Sequence, residues 1–193
     1  MNWHFFHSTL SQKGITIFTP FDVTRIFGIS LVATTFLLHR YSKKKFIIHL
    51  KRGLYCLSDT HVDHLLLANK IYTPSYISLE FALSYYGILP ETTYEITSIT
   101  TKPTRRFVVL ENIFSYKSVQ KKTFTGYAPV KHDQNVVLMA EPEKAFVDYI
   151  YFKTRIKSTP SDRLDLSKLK KKMVIVYAAL FNNKLVHDCT RFF

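Results

Sequence analysis

The stretch TPFDVTRIFGISLVATTFLLHRYSKKKFIIHLKRGLYCL, residues 19–57, decides the fold of the first part of the chain. Thr19 followed by Pro20 marks a helix start, because a hydroxyl can cap the first free N–H groups and proline is preset for the first helical turn. Asp22 suits the positive end of that helix, and Val23, Ile26 and Phe27 give it one apolar face. Gly28 suits the left-handed residue that ends it. Ser30 then caps a further helix after only a short turn, and the run Lys43-Lys44-Lys45 follows that helix's end at about Ser42. Phe46 to Leu50 and Leu54 to Leu57 are short runs of β-forming residues. Lys51-Arg52-Gly53 between them reads as a three-residue hairpin loop with glycine in the left-handed position.

Upstream, Trp3, Phe6 and Leu10 recur at helical spacing, Gly14 stops that helix, and Ile15 to Phe18 alternates like a short strand. Helix, short strand, helix, tight turn, helix and basic hairpin, in that order, predict a winged helix-turn-helix over residues 1–60. Its third helix would lie in a DNA major groove while the hairpin tip grips the flanking backbone. Packing Thr34, Leu37, Leu38 and Tyr41 inward leaves Ala33, Phe36, His39 and Arg40 outside, with Thr35 on the boundary. The candidate DNA-binding residues are therefore Ser30, Thr35, His39 and Arg40 on the helix, with Lys43, Lys44, Lys45, Lys51 and Arg52 as phosphate contacts. Arg40 is the residue best suited to a guanine edge. The plainer explanation of the lysines is a solvated rim, and the helix is poor in polar residues for one that reads bases.

Residues 61–193 read as a second, mixed domain, giving an α+β fold with a meandering sheet and flanking helices. Ser58 to Ala68 is a connector with a short helical piece; His61, Asp63 and His64 within it lack the further partners that a zinc site needs. Thr73-Pro74 marks a helix start, and Gly87 with Pro90 its end. Tyr94–Thr101, Arg105–Leu110, Ile113–Tyr116, Thr123–Tyr127 and Val136–Met139 predict short strands. Glu141-Pro142-Glu143 opens a helix with Ala145, Phe146, Tyr149 and Ile150 inward, and Leu166–Phe181 and Lys184–Phe193 predict two terminal helices.

The chain carries 27 Lys and Arg against 14 Asp and Glu, a net charge of +13. Residues 1–68 hold eight basic and three acidic side chains, residues 69–152 nine and eight, and residues 153–193 ten and three. Basic ends around a neutral middle suggest contact with a polyanion, since clustered cations release counterions from a phosphate backbone. A hydrophobic fraction of 47% disfavours disorder. No apolar run reaches spanning length, and the N-terminus has no signal-peptide pattern, so a cytoplasmic protein is expected. Cys56 and Cys189 then suit reduced side chains.

Three segments resemble the AbiEi family, the antitoxins of type IV abortive-infection toxin–antitoxin systems. They are Leu38-His39-Arg40-Tyr41 through Lys51-Arg52-Gly53-Leu54-Tyr55; Pro74 to Leu83 with Tyr86-Gly87 and Pro90-Glu91; and Ala140-Glu141-Pro142-Glu143-Lys144-Ala145 with Asp148. The resemblance, over about residues 18–152, implies a winged helix that represses its own operon on double-stranded operator DNA. It also implies an antitoxin-like domain that counteracts a nucleotidyltransferase-like toxin. The region after residue 152 is short for that pattern. Read from the residues alone, Glu143, Lys144 and Asp148 are a helix start and a helix-surface pair.

Sites for chemistry are sparse. The chain has five glycines and no phosphate-cradling loop, no Cys-X-X-Cys and no Gly-X-Ser-X-Gly, so neither an enzyme nor a cofactor or metal is expected. The competing expectation is a stand-alone DNA- or RNA-binding regulator without antitoxin activity, suggested by Lys168, Lys170, Lys171 and Lys172 and by Tyr149 and Tyr151.

Overall fold

The computed structural model describes residues 1–193, which form an α+β chain of two compact units, residues 1–67 and 68–193. No single helix is long and apolar enough to cross a membrane.

The first unit contains α1 (Trp3–Gln12), β1 (Ile17–Phe18), α2 (Pro20–Phe27), α3 (Leu31–Lys43), β2 (Ile47–Lys51) and β3 (Leu54–Leu57). The strands form an antiparallel sheet in the order β1-β3-β2. Thr19 and Asp22 close a reciprocal capping box at α2: the Thr19 hydroxyl accepts from the Asp22 N–H at 3.2 Å and the Asp22 carboxylate accepts from the Thr19 N–H at 2.9 Å. Gly28, at φ +64°, ends α2, and the helix axis bends by 113° between α2 and α3. Phe6, fully buried, has the rings of Trp3, Phe18, Phe27 and Tyr41 within 5.9 Å, so an aromatic cluster anchors all three helices to the sheet. Truncating such a ring to alanine costs about 3–5 kcal/mol.

The second unit begins within α4 (His64–Ile71) and continues through β4 (Ser75–Ile77), α5 (Leu79–Tyr85), β5 (Glu95–Thr100), β6 (Arg105–Val109) and β7 (Asn112–Ser118). β8 (Tyr127–His132), β9 (Asn135–Ala140), α6 (Pro142–Arg155), α7 (Lys171–Ala179) and α8 (Asn183–Thr190) complete it. Its six strands lie in the order β6-β7-β5-β4-β9-β8.

That order replaces the expected meander. Three antiparallel pairs, β4 with β5, β6 with β7 and β8 with β9, are joined by parallel pairs, β5 with β7 and β4 with β9. Alternation along one strand reports its faces but not its neighbours, so parallel pairing is invisible to it. The helix start expected at Thr73-Pro74 is also corrected, because Ser75, Tyr76 and Ile77 are all buried in a central strand and α5 begins only at Leu79. A strand enclosed on both sides shows no period-2 pattern, so nothing in its alternation separates it from the helix that follows. The strand expected over Thr123–Tyr127 is a single 3-10 turn, Lys121–Thr123, followed by loop, and β8 starts at Tyr127. Leu166–Lys168 is likewise a 3-10 turn, and α7 begins at Lys171.

Candidate nucleic-acid interface

Ser30 is the N-cap of α3, and its exposed hydroxyl accepts from the Ala33 N–H at 3.2 Å. Thr34 is buried, and its hydroxyl lies 3.1 Å from that of Thr24, a polar contact that ties α3 to α2. Leu37, Leu38 and Tyr41 bury on the same side. That facing leaves Ala33, Thr35, Phe36, His39 and Arg40 exposed.

The candidates on α3 are not equally free to meet a ligand. Thr35 donates its hydroxyl to the Leu31 carbonyl at 2.9 Å. Arg40 donates to the Met1 carbonyl at 3.0 Å, its guanidinium 5.4 Å from the Tyr41 ring, and Tyr41 donates to the same carbonyl at 3.1 Å. The guanidinium is thus held at the N-terminal backbone, and reaching a base would require breaking that contact. His39 is exposed. A shallow pocket of about 400 Å³ lies between Met1, Ile29, Ala33, Phe36, Leu37 and Arg40.

Lys43 is the last residue of α3, Lys44 its C-cap and Lys45 the residue after it, all exposed, with Lys45 in the left-handed region at φ +59°. Cations there complement the negative end of the helix as well as any phosphate. Lys51 and Arg52 belong to the hairpin instead. The strands extend to Lys51 and Leu54, so the connection is the two residues Arg52-Gly53, shorter than the three expected, with Gly53 at φ +75°. The β2 register shifts between His49 and Lys51, which makes the strand irregular just before the tip. Arg52 is exposed and Lys51 half-buried. The predicted residues therefore fall on one helix face, one helix end and one hairpin tip of a single unit.

Two exposed residues of α3 lie outside the sequence-based set: Leu31 and Val32. Their signal was present, since an amphipathic helix needs one apolar face and α3 has apolar residues around most of its circumference.

No family model matches the chain, and no curated protein matches it.

The ligand-capable cluster in the connector has a local structural use. Asp63 accepts from the Leu65 and Leu66 N–H groups at 2.8 and 3.2 Å, which caps α4. The His61 and His64 rings lie 6.1 Å apart, and burial, reinforced by His61, holds the His64 imidazole below its ordinary range.

In the second unit the pair expected on a helix surface is buried. Lys144 and Asp148 are fully out of solvent and joined by an ion pair. The carboxylate also accepts from Ser78 at 2.9 Å and from Tyr76 at 3.1 Å. Burial drives the Asp148 carboxyl up and the Lys144 ammonium down, each opposed by the other's charge. The ammonium is further enclosed by the Tyr76 ring at 5.6 Å and the Phe181 ring at 5.1 Å. With both charged groups sealed from water, the cluster acts as a buried latch between α6, β4 and the start of α5. Tyr149 is buried too, its hydroxyl accepting from the Ser161 N–H at 2.9 Å, and Tyr151 packs 4.6 Å from the Phe181 ring. Neither presents a stacking platform for a base. The lysines grouped with them by the sequence reading, Lys168, Lys170, Lys171 and Lys172, are exposed, and Lys168 donates to the Gly87 carbonyl at 2.9 Å.

Proposed function

We propose that this chain is a DNA-binding transcriptional regulator whose residues 1–60 act as a winged helix-turn-helix on double-stranded operator DNA. The observation that carries this reading is the arrangement of cations around α3: from Gly28 to Ser58 the chain has six Lys and Arg and no Asp or Glu, placed at the helix end and the hairpin tip. The 113° bend between α2 and α3 across a short turn also supports it, since helix-turn-helix pairs cross at about 90–120°. In this reading the N-terminal turn of α3 enters the major groove with Ser30 beside a phosphate, and Arg52 with Lys51 meets the flanking backbone.

The resemblance to AbiEi antitoxins extends the proposal to autorepression of a type IV abortive-infection operon in the cytoplasm. Residues 61–193 then counteract a nucleotidyltransferase-like toxin, and no catalytic step is assigned to any residue. The test is binding of the full-length chain to its own upstream duplex at two salt concentrations against an unrelated duplex. Specific binding is expected, with a log–log salt slope of about −0.9 per neutralised phosphate. Binding no stronger than to the unrelated duplex refutes the operator reading. The antitoxin half is tested separately, by rescue of cells expressing the neighbouring toxin.

A further inference from the structure

On the outward side of α3, Leu31, Val32 and Phe36 are 58%, 67% and 72% exposed. Val32 and Phe36 are one turn apart, as are Leu31 and Thr35, so the four share one continuous side of the helix. The Thr35 hydroxyl is turned to the Leu31 carbonyl, which leaves its methyl as the outward group. Ala33 is exposed as well, and the Arg40 guanidinium is held at the Met1 carbonyl. The first turns of α3 therefore present chiefly hydrocarbon, where a helix that reads bases by hydrogen bonding would carry amides, carboxylates or free guanidinium groups.

Cations frame this hydrocarbon at the helix end and hairpin tip, with no carboxylate in the segment to offset them. The surface complements a polyanion that itself displays apolar groups. Among the four bases only thymine does so in the major groove, through its 5-methyl group, and aliphatic and phenyl side chains are its usual contacts. We propose that α3 recognises thymine-rich major groove by burying thymine methyl groups against Leu31, Val32, Thr35 and Phe36. This assignment rests on the DNA-binding reading of the first unit and names what that unit reads.

The full-length chain is used to select duplexes from a random-sequence pool at low salt, and the selected duplex is compared with a twin carrying deoxyuridine at every thymine. The twin keeps every base-pair hydrogen bond and lacks only the methyl groups. Thymine-rich selected sites are expected, with the twin binding about tenfold more weakly or worse, since each buried methyl contributes about fourfold. Phe36→Ser, at a largely exposed position, keeps the fold and is expected to bring the two affinities together. Equal affinity for the thymine and uracil duplexes overturns the proposal and leaves DNA binding standing. Selection of no duplex at all overturns the DNA-binding reading and the proposal with it. A dimer in DNA-free sedimentation that Phe36→Ser dissolves assigns the face to a second copy and likewise overturns it.

Discussion

Lys144 and Asp148 stand one turn apart on α6 with neither side chain reaching solvent, and Asp148 holds the hydroxyls of Tyr76 and Ser78 as well as the ammonium. Ser78 is the N-cap of α5 and gives its side chain to this carboxylate rather than to its own helix. The pair thus fastens two helices and a central strand. Asp148→Asn strands a buried ammonium and is expected to cost about 3–5 kcal/mol in urea unfolding, whereas Lys144→Met with Asp148→Asn recovers much of the loss. A single variant as stable as the parent would show that the pair is not holding these elements together.

Gly126 reports the same cluster from the other side. A Cβ there would lie 2.7 Å from a Tyr177 ring carbon and 2.9 Å from Cγ of Lys144, on a backbone at φ +75°. Gly126→Ala is expected to destabilise by about 1–3 kcal/mol through overpacking, with a left-handed penalty of about 1 kcal/mol in addition. Gly53→Ala, where the added carbon meets open space, is expected to cost only the conformational part. The difference in unfolding midpoint between the two variants measures how much the crowding at Gly126 matters.

The caps of the first unit can be ranked. Thr19→Ala removes the hydroxyl half of a reciprocal box and is expected to cost about 1–2 kcal/mol, more than Ser30→Ala, which loses a single bond at an exposed end. Thermal unfolding of both variants, followed by circular dichroism, measures that order. Equal losses would mean that the Asp22 side chain adds nothing to the cap.

Replacing Lys43, Lys44 and Lys45 with alanine leaves the α3 core face intact. It is expected to weaken binding to all duplexes alike and to flatten the salt slope by about 0.9 for each phosphate that is no longer neutralised. An unchanged slope would identify the three as solvated charges.

Alkaline pH should unfold the second unit. Burial, aided by the charges of Tyr85, Glu141 and Glu143, pushes the Tyr86 phenol up to about 12. Burial and its hydrogen bond to Glu141 push Tyr177 to about 12 also. Both folded values lie above the unfolded value of about 10, so this stabilisation is complete below pH 10 and is lost as pH rises towards 12. Phenolate absorbance followed with circular dichroism should show a late phase that coincides with unfolding. A late phase without loss of structure would contradict the coupling.

The first unit was legible because its signals are local. Thr19, Pro20, Gly28 and Ser30 each act on neighbours within four residues, and the burial of Thr34, Leu37, Leu38 and Tyr41 follows from a 3.6-residue period. The hairpin tip differs by one residue, since Lys51 pairs with Leu54 and only Arg52-Gly53 turn. In the second unit the deciding contacts are distant in sequence. Nothing near Ser75 shows that β4 lies between β5 and β9, and nothing near Lys144 shows that a lysine and an aspartate at surface spacing are enclosed by Tyr76 and Phe181. The exposed hydrocarbon of α3 was visible as composition, but the engagement of the Thr35 hydroxyl and the Arg40 guanidinium, which leaves that hydrocarbon as the chief outward surface, was not.

The strand order of the six-stranded sheet also sets how the protein behaves in a crowded solution. Its outermost strands are β6, which carries Arg105 and Arg106, and β8, which carries Pro129 and Lys131. An incoming strand would meet a guanidinium side chain on each face of one border, and a missing amide hydrogen near an ammonium group at the other. Both borders resist extension into a cross-strand aggregate, while β4, which carries the buried side chains of Tyr76 and Ile77, is kept in the interior, paired on both sides.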